Sequence, residues 1–196
     1  MYIAFEGIDG CGKTTQLENL KNRFKNTWFT AEPYYYSKAV KPLLKHFKYQ
    51  NPAAHNLLFL ACHAEYVTRQ LSHKLKSGVN IISDRSVLSS LAYSYGINGN
   101  LMTKMKNAYR MFNVDTYPDI AIYLKLEPEK MEQRLDRKDS IESMPLEYFK
   151  RVNEGYEKLM ADKTIPTKWI VIDASKPRKE ILEEILSKLP IKKRSI

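Results

Sequence analysis

The run Gly7-Ile8-Asp9-Gly10-Cys11-Gly12-Lys13-Thr14 fits the spacing G-x-x-x-x-G-K-[ST], in which successive backbone N–H groups and a helix dipole can enclose a diphosphate. Glycines at Gly7, Gly10 and Gly12 allow the backbone to approach a phosphate closely. Lys13 would reach the terminal phosphates as a point charge, and the Thr14 hydroxyl would take one position on magnesium. Cys11 and Thr15 complete the candidate cradle for ATP. The plainer alternative is a glycine turn that merely caps a helix. Context argues against it: the apolar run Tyr2 to Glu6 precedes the pattern, and Leu17, Leu20 and Phe24 follow it at spacings of three and four.

Three further groups could do chemistry. Asp84-Arg85 closes an apolar run, Val79 to Ser83. At the carboxyl end of a strand beside the glycine loop, Asp84 could hold magnesium and Arg85 could clamp an acceptor phosphate. A surface ion pair is the alternative. Phe59, His63, Tyr66 and Gln70 recur at four, three and four residues, one helical face able to stack on a base and bond its edge, or else ordinary core. Arg134, Arg137 and Lys138 end a short helix starting near Pro128 and precede a polar stretch to Ser143. They suit a lid over about 134–144 that carries positive charge to a transferring phosphate, or a solvated basic helix end.

These groups need a scaffold. Trp28 to Ala31, Ile120 to Leu126 and Trp169 to Ile172 are strand-length apolar runs. With Tyr2 to Glu6 and Val79 to Ser83 they make five strands separated by helices, an α/β chain with a parallel sheet. A long helix is predicted from Asn51 as cap and Pro52 at its first position, with Leu57, Leu60, Ala64, Leu71 and Leu75 inward, to a stop at Gly78. Phe149, Val152, Tyr156 and Leu159 form a buried-helix stripe. At 196 residues and 43% hydrophobic, one domain over 1–196 is expected.

Composition narrows the function classes. No apolar stretch reaches the roughly eighteen residues that cross a bilayer, and Met1 to Phe5 enters a strand without the features of a leader, so a cytoplasmic protein is expected. Cys11 and Cys62 have neither disulfide nor metal-ligand spacing. The net charge of +10, 32 Lys and Arg against 22 Asp and Glu, is dispersed rather than striped, which suits small anionic substrates as well as a polyanion.

Taken together, Phe5 to Gln16, Asp84-Arg85 with Ser89-Ser90-Leu91-Ala92-Tyr93, Tyr117-Pro118-Asp119 and Phe149-Lys150-Arg151-Val152 with Gly155-Tyr156 resemble, in order, the landmarks of the thymidylate kinase family. The resemblance implies the three-layer fold of phosphate-loop nucleoside triphosphatases, with a small lid. It also implies a homodimer that phosphorylates thymidine monophosphate from ATP and magnesium by direct in-line transfer. It makes Asp9 a ligand of the sugar 3′-hydroxyl, Phe59 the base-stacking ring, Ser90 a polar base contact and Tyr93 the ring that crowds a ribose 2′ position. Glu32, His63 and Tyr156 join the acceptor side, and Asp173-Ala174-Ser175 the loop that cups adenine.

The chain departs from the family pattern mostly on the acceptor side. Ala31 replaces an Arg before Glu-Pro, Tyr34-Tyr35-Tyr36 replaces Gly-Gly-Thr, and His63 stands where the family has a base-reading Arg. Ser86 and Ser94 replace bulkier residues, and Gly10 occupies a loop position where some members carry an arginine, leaving that charge to the lid. A kinase of another or several nucleoside monophosphates therefore stays open. So do a nucleic-acid-binding ATPase, supported by the net charge alone, and an idle nucleotide binder, against which Lys13, Thr14, Asp84 and Arg85 argue.

Overall fold

Five strands, β1 (Tyr2–Glu6), β2 (Thr27–Ala31), β3 (Asn80–Asp84), β4 (Ile120–Lys125) and β5 (Lys168–Asp173), pair in parallel in the order β2-β3-β1-β4-β5. They are seen in a computed structural model that describes residues 1–21, 23–32, 40, 42–43, 51–134 and 144–191. The expected strands are all present, with β3 starting one residue late. Gly78 is left-handed (φ 72°) and the Val79 N–H still bonds the Lys74 carbonyl, so pairing begins only at Asn80. Parallel strands need long crossovers, and helices supply them.

The helices are α1 (Lys13–Leu20), α2 (Pro52–Tyr66), α3 (Ser72–Lys76), α4 (Val87–Ile97), α5 (Gly99–Met111), α6 (Pro128–Glu132), α7 (Leu146–Ala161) and α8 (Arg178–Lys188). Asn51 caps α2 as expected, its Oδ1 accepting the Ala54 N–H at 3.1 Å, with Pro52 first in the helix. A π-helical turn, Val67–Leu71, joins α2 to α3. Among the described residues no helix is long and apolar enough to cross a membrane.

Side chains alternate across a strand. Tyr2, Ala4 and Ile81 therefore meet Tyr66, Val67 and Leu71 in one cluster, while Ile3, Phe5 and Ile82 belong to the larger core. Within that core α4 and α7 are held very close. A Cβ on Gly96 would lie 2.6 Å from Val152 Cγ2, and one on Gly155 would lie 2.9 Å from the Ala92 carbonyl oxygen.

The inward face of α2 differs from the one its leucines suggest. Leu57 is 58% exposed, and the buried stripe is Asn56, Leu60 and His63. Two of those three are polar, but each is satisfied inside: Asn56 Nδ2 donates to the Pro52 carbonyl at 2.8 Å, and His63 bonds Glu32. Hydrophobicity alone therefore picks a face turned about one residue away. The π turn also adds a residue to the helical count, which separates Gln70 from the face of Phe59.

Candidate active site

At the carboxyl end of β1 the chain turns directly into the glycine loop. Gly7 has φ 136°, and a Cβ there would lie 2.6 Å from the Leu124 carbonyl oxygen of β4, so only glycine fits. Gly12, also left-handed (φ 96°), opens α1. The Lys13 ammonium lies back over the loop, donating to the Gly7 carbonyl at 3.1 Å and the Ile8 carbonyl at 2.9 Å, with Cys11 Sγ at 3.6 Å. Thr14 Oγ1 donates to Asp84 Oδ2 at 2.7 Å, across from the end of β3.

A cavity of about 810 Å³ follows this loop from Asp9 to Gln16 and continues along Asp84 and Arg85 to Ala174, Lys176 and Arg178. Arg134, just past α6, spans it by donating to the Ala174 carbonyl at 3.2 Å and the Gly10 carbonyl at 3.4 Å. Arg137, Lys138, most of the expected lid, Tyr34 to Tyr36 and the basic tail lie outside the described residues.

The donor set suits magnesium. Asp84 Oδ1 is buried without a hydrogen-bond partner, beside the Oδ2 that Thr14 contacts. No cluster of three His, Cys, Asp or Glu residues occurs among the described residues. One carboxylate and one hydroxyl match a hard cation that keeps several of its waters and binds phosphate oxygens.

Arg85 sits between this cavity and a second one. Its backbone is left-handed (φ 71°), an unusual conformation for a side chain of this size. Nη1 donates to the Gly7 carbonyl at 3.1 Å and to Ser89 Oγ at 3.2 Å, while Nη2 pairs with Asp9 Oδ1 and reaches Tyr93 Oη at 3.2 Å. Tyr93 Oη donates in turn to Asp9 Oδ2 at 2.8 Å. Burial pushes the Asp9 carboxyl up, but the charges of Arg85 and Lys13 and the Tyr93 hydroxyl outweigh it and hold the group below its usual range.

Behind Arg85 lies a group the sequence reading did not single out. Glu6, the last residue of β1, is fully buried. It accepts Ser86 Oγ at 2.6 Å, Tyr156 Oη at 3.0 Å and Ser89 Oγ. Burial raises its carboxyl to about 7, against the lowering pull of those hydroxyls and of Arg85. Tyr156 is fully buried in this network and presents no surface to either cavity. Ser86, one of the departures, is what caps α4 and reaches Glu6.

The second cavity, about 160 Å³, is lined by the bonded cluster of Asp9, Arg85 and Tyr93 and by Glu32, Phe59, Asn56, His55 and Ser90. Phe59 meets His55 edge-on, with centroids 5.0 Å apart. A recess of about 40 Å³ shares Glu32, Phe59, Arg85, Ser89 and Ser90 with this cavity and is also lined by His63 and Tyr109. His63 does not offer a nitrogen to this space: Nδ1 pairs with Glu32 Oε2 at 2.7 Å and Nε2 with the Val114 carbonyl at 2.8 Å. Both contacts suit a doubly protonated ring. Burial opposes that charge, yet Glu32 and the Val114 carbonyl prevail and the pKa is raised. Tyr66 is likewise wholly buried, in the smaller core cluster.

Of the expected residues, the structure therefore brings Asp9, Gly10, Cys11, Gly12, Lys13, Thr14, Thr15, Glu32, Asp84, Arg85 and Arg134 around the first cavity, with the Gly7 carbonyl bonded to Lys13, and Phe59, Ser90 and Tyr93 around the second. The sequence reading missed Asn56 and His55, although both lie one turn before Phe59. It also missed Lys176 and Arg178, which directly follow Asp173-Ala174-Ser175. Tyr109 carries no sequence signal at all.

Comparison with known proteins agrees with this geometry. The family model described as thymidylate kinase matches residues 5–185. A thymidylate kinase of Sulfurimonas denitrificans is 33% identical, covering 97% of this chain and 100% of that protein. One from Wolinella succinogenes is 34% identical over 98% of this chain and 100% of its own length. One from Campylobacter jejuni is 33% identical over 94% and 97%. The chain belongs to the thymidylate kinase family.

Proposed function

We propose that this chain transfers the terminal phosphoryl group of ATP directly to the phosphate of thymidine monophosphate. One observation carries the reading: Arg85 and Glu32 line both the large cavity over the glycine loop and the smaller aromatic-walled cavity, so donor and acceptor phosphates would meet at one guanidinium. Family membership supports the same reaction.

The triphosphate lies along Gly7 to Thr15, where Lys13 exchanges its loop carbonyls for phosphate oxygens. Thr14 and Asp84 would hold magnesium, which would supply positive charge to the terminal phosphates. The acceptor stacks its base on Phe59, sets its sugar against Asp9 and Tyr93, and presents its phosphate to Arg85. Arg134, and Arg137 from the lid, add charge over the transferring group. An acceptor phosphate oxygen is already a nucleophile, so positioning and charge suffice without a phosphoenzyme. Tyr156 acts from behind, through Glu6 and Ser89, and His63 acts by holding Glu32.

Ala31 on the cavity rim and the internally bonded His63 favour one second reading, a kinase with a wider choice of monophosphates. A nucleic-acid-stimulated ATPase has only the net charge behind it. The family resemblance extends the proposal to a cytoplasmic homodimer. ADP release with magnesium-ATP and dTMP, dUMP, dCMP, UMP, AMP or GMP tests it. Preference for dTMP is expected, and turnover with none of these, or only with added DNA or RNA, would overturn it.

A further inference from the structure

Three side chains, Asp9, Glu32 and Arg85, line both cavities. One cation therefore faces two carboxylates at the boundary where two phosphates would meet. Arg85 is already committed to Asp9, and it and Lys13 hold the Asp9 carboxyl below its usual range against the upward push of burial. Lys13 and Arg134 line the first cavity and not the second. With these groups alone, the acceptor side of the boundary would be net negative, which opposes an anionic ligand.

The fold places Glu32 at this point. Its N–H bonds the Asp84 carbonyl at 2.9 Å, one step past the pairing of Ala31 with Asp84, so Glu32 stands beside Arg85 where the β2–β3 ladder ends. Its carboxylate is anchored from behind: Oε1 accepts Tyr2 Oη at 3.2 Å, and Oε2 meets His63 Nδ1 at 2.7 Å. Tyr2 brings no charge, but His63 does. The Val114 carbonyl, 2.8 Å from Nε2, can only accept, so Nε2 carries a proton. Nδ1 and a carboxylate oxygen at 2.7 Å would repel as two acceptors, so a second proton lies between them. Wherever that proton sits, the pair as a whole is neutral. His63 is 4% exposed with both nitrogens used, so it offers a ligand no hydrogen bond of its own.

We infer that His63 is a positioning residue for the acceptor phosphate: through Glu32 it cancels the second carboxylate at the boundary of the two cavities, so that a dianionic acceptor meets Arg85 without uncompensated negative charge beside it. The inference rests on the reading above, in which Arg85 takes the acceptor phosphate. It moves His63 from the base end of the ligand, where the sequence reading put it, to the phosphate end. Its loss should therefore be felt by a nucleotide and not by the matching nucleoside.

The test is binding of dTMP and of thymidine, by calorimetry at neutral pH, to the wild type, His63→Gln, Glu32→Gln and the double variant, with melting temperature as a control. The wild type should bind dTMP more tightly than thymidine. His63→Gln keeps a donor for Glu32 but removes the charge, and should shrink the dTMP-to-thymidine ratio by about tenfold, the scale of one uncompensated charge across a polar cavity. Thymidine affinity should hold. Adding Glu32→Gln should restore the ratio, which a purely structural role for His63 does not predict. An unchanged ratio in folded His63→Gln, an equal loss for thymidine, or no recovery in the double variant would overturn the inference. Should His63→Gln fail to fold, Glu32→Gln decides: the ratio should hold or rise, and a fall would mean that the carboxylate itself serves the acceptor. A wild type that binds thymidine as tightly as dTMP would also overturn the inference. One that prefers dTMP but transfers no phosphate would refute the proposed kinase activity and leave this result intact.

Discussion

The two cavities are built from different material. Around the glycine loop the polar groups are backbone: the Gly7 and Ile8 carbonyls, the loop N–H groups and the start of α1, with Lys13, Thr14 and Asp84 added to them. Around the acceptor cavity the polar groups are side chains that satisfy one another: Asp9 with Arg85 and Tyr93, Glu32 with His63, Ser90 with Tyr109, Asn56 with Ser94. A backbone site demands residue types at fixed spacing and leaves a motif in the sequence. A side-chain site demands only that partners match, so one residue can change when its neighbour accommodates it. Of the departures among the described residues, His63, Ser86 and Ser94 belong to the second region, while Ala31 and Gly10 line the first.

The largest effect should come from removing the charge on the backbone side. Lys13→Ala should lower kcat by roughly three orders of magnitude, as loss of a transition-state contact does, while acceptor affinity measured without ATP stays close to wild type. Near-normal turnover would mean that the first cavity is not where transfer occurs. Arg85→Lys, which keeps the charge but removes the fork shared by Gly7, Ser89, Asp9 and Tyr93, should lower kcat/KM for the acceptor by about a hundredfold. An effect confined to KM for ATP would separate Arg85 from the acceptor.

His63→Gln probes whether the side-chain region carries stability. Glu32 would lose its charged partner, at a cost of about 3 kcal/mol, read in a denaturant titration. The wild-type contribution should be complete below the ordinary histidine value of 6.5 and fade as pH rises through the raised folded value, because the folded state holds the proton more tightly. A stability difference that does not change over that range would show that the ring is neutral in the pair.

The smallest effect concerns Glu6. Its carboxyl is raised from 4.5 to about 7, so the folded state favours the protonated form, and its contribution is full below 4.5 and lost as pH climbs through about 7. Glu6→Gln lacks this slope, and its melting temperature should gain a few degrees on the wild type between those limits. Parallel curves would place the ionisation elsewhere.

Much of the molecule was legible from local chemistry. The pair Asn51 and Pro52 set the start of α2 and Gly78 marked the end of α3, because caps and left-handed residues act over one turn. The glycine loop and Asp84-Arg85 were legible for the same reason. Leu57 misled, since the inward face of α2 carries Asn56 and His63, whose burial depends on Ser94, Glu32 and Val114 far along the chain. His63 read as a donor to the ligand because neither of its partners is near it in sequence. Glu6 and Tyr109 were read as strand or passed over, and Tyr156 as core or an acceptor-side residue, since only the fold shows which polar atoms they meet.

The close contact of α4 with α7 also bears on how the second cavity can adapt. Ser89, Ser90 and Tyr93 all ride on α4, which Gly96 and Gly155 press against α7 with no room for even a methyl group. That wall is an anvil: it cannot recede to admit a larger ligand. The facing wall, with Phe59 on α2, runs into a π turn instead of unbroken α-helix. Adjustment of the acceptor site is therefore one-sided, and new substrate tolerance would have to be recruited through α2 while α4 keeps the gauge.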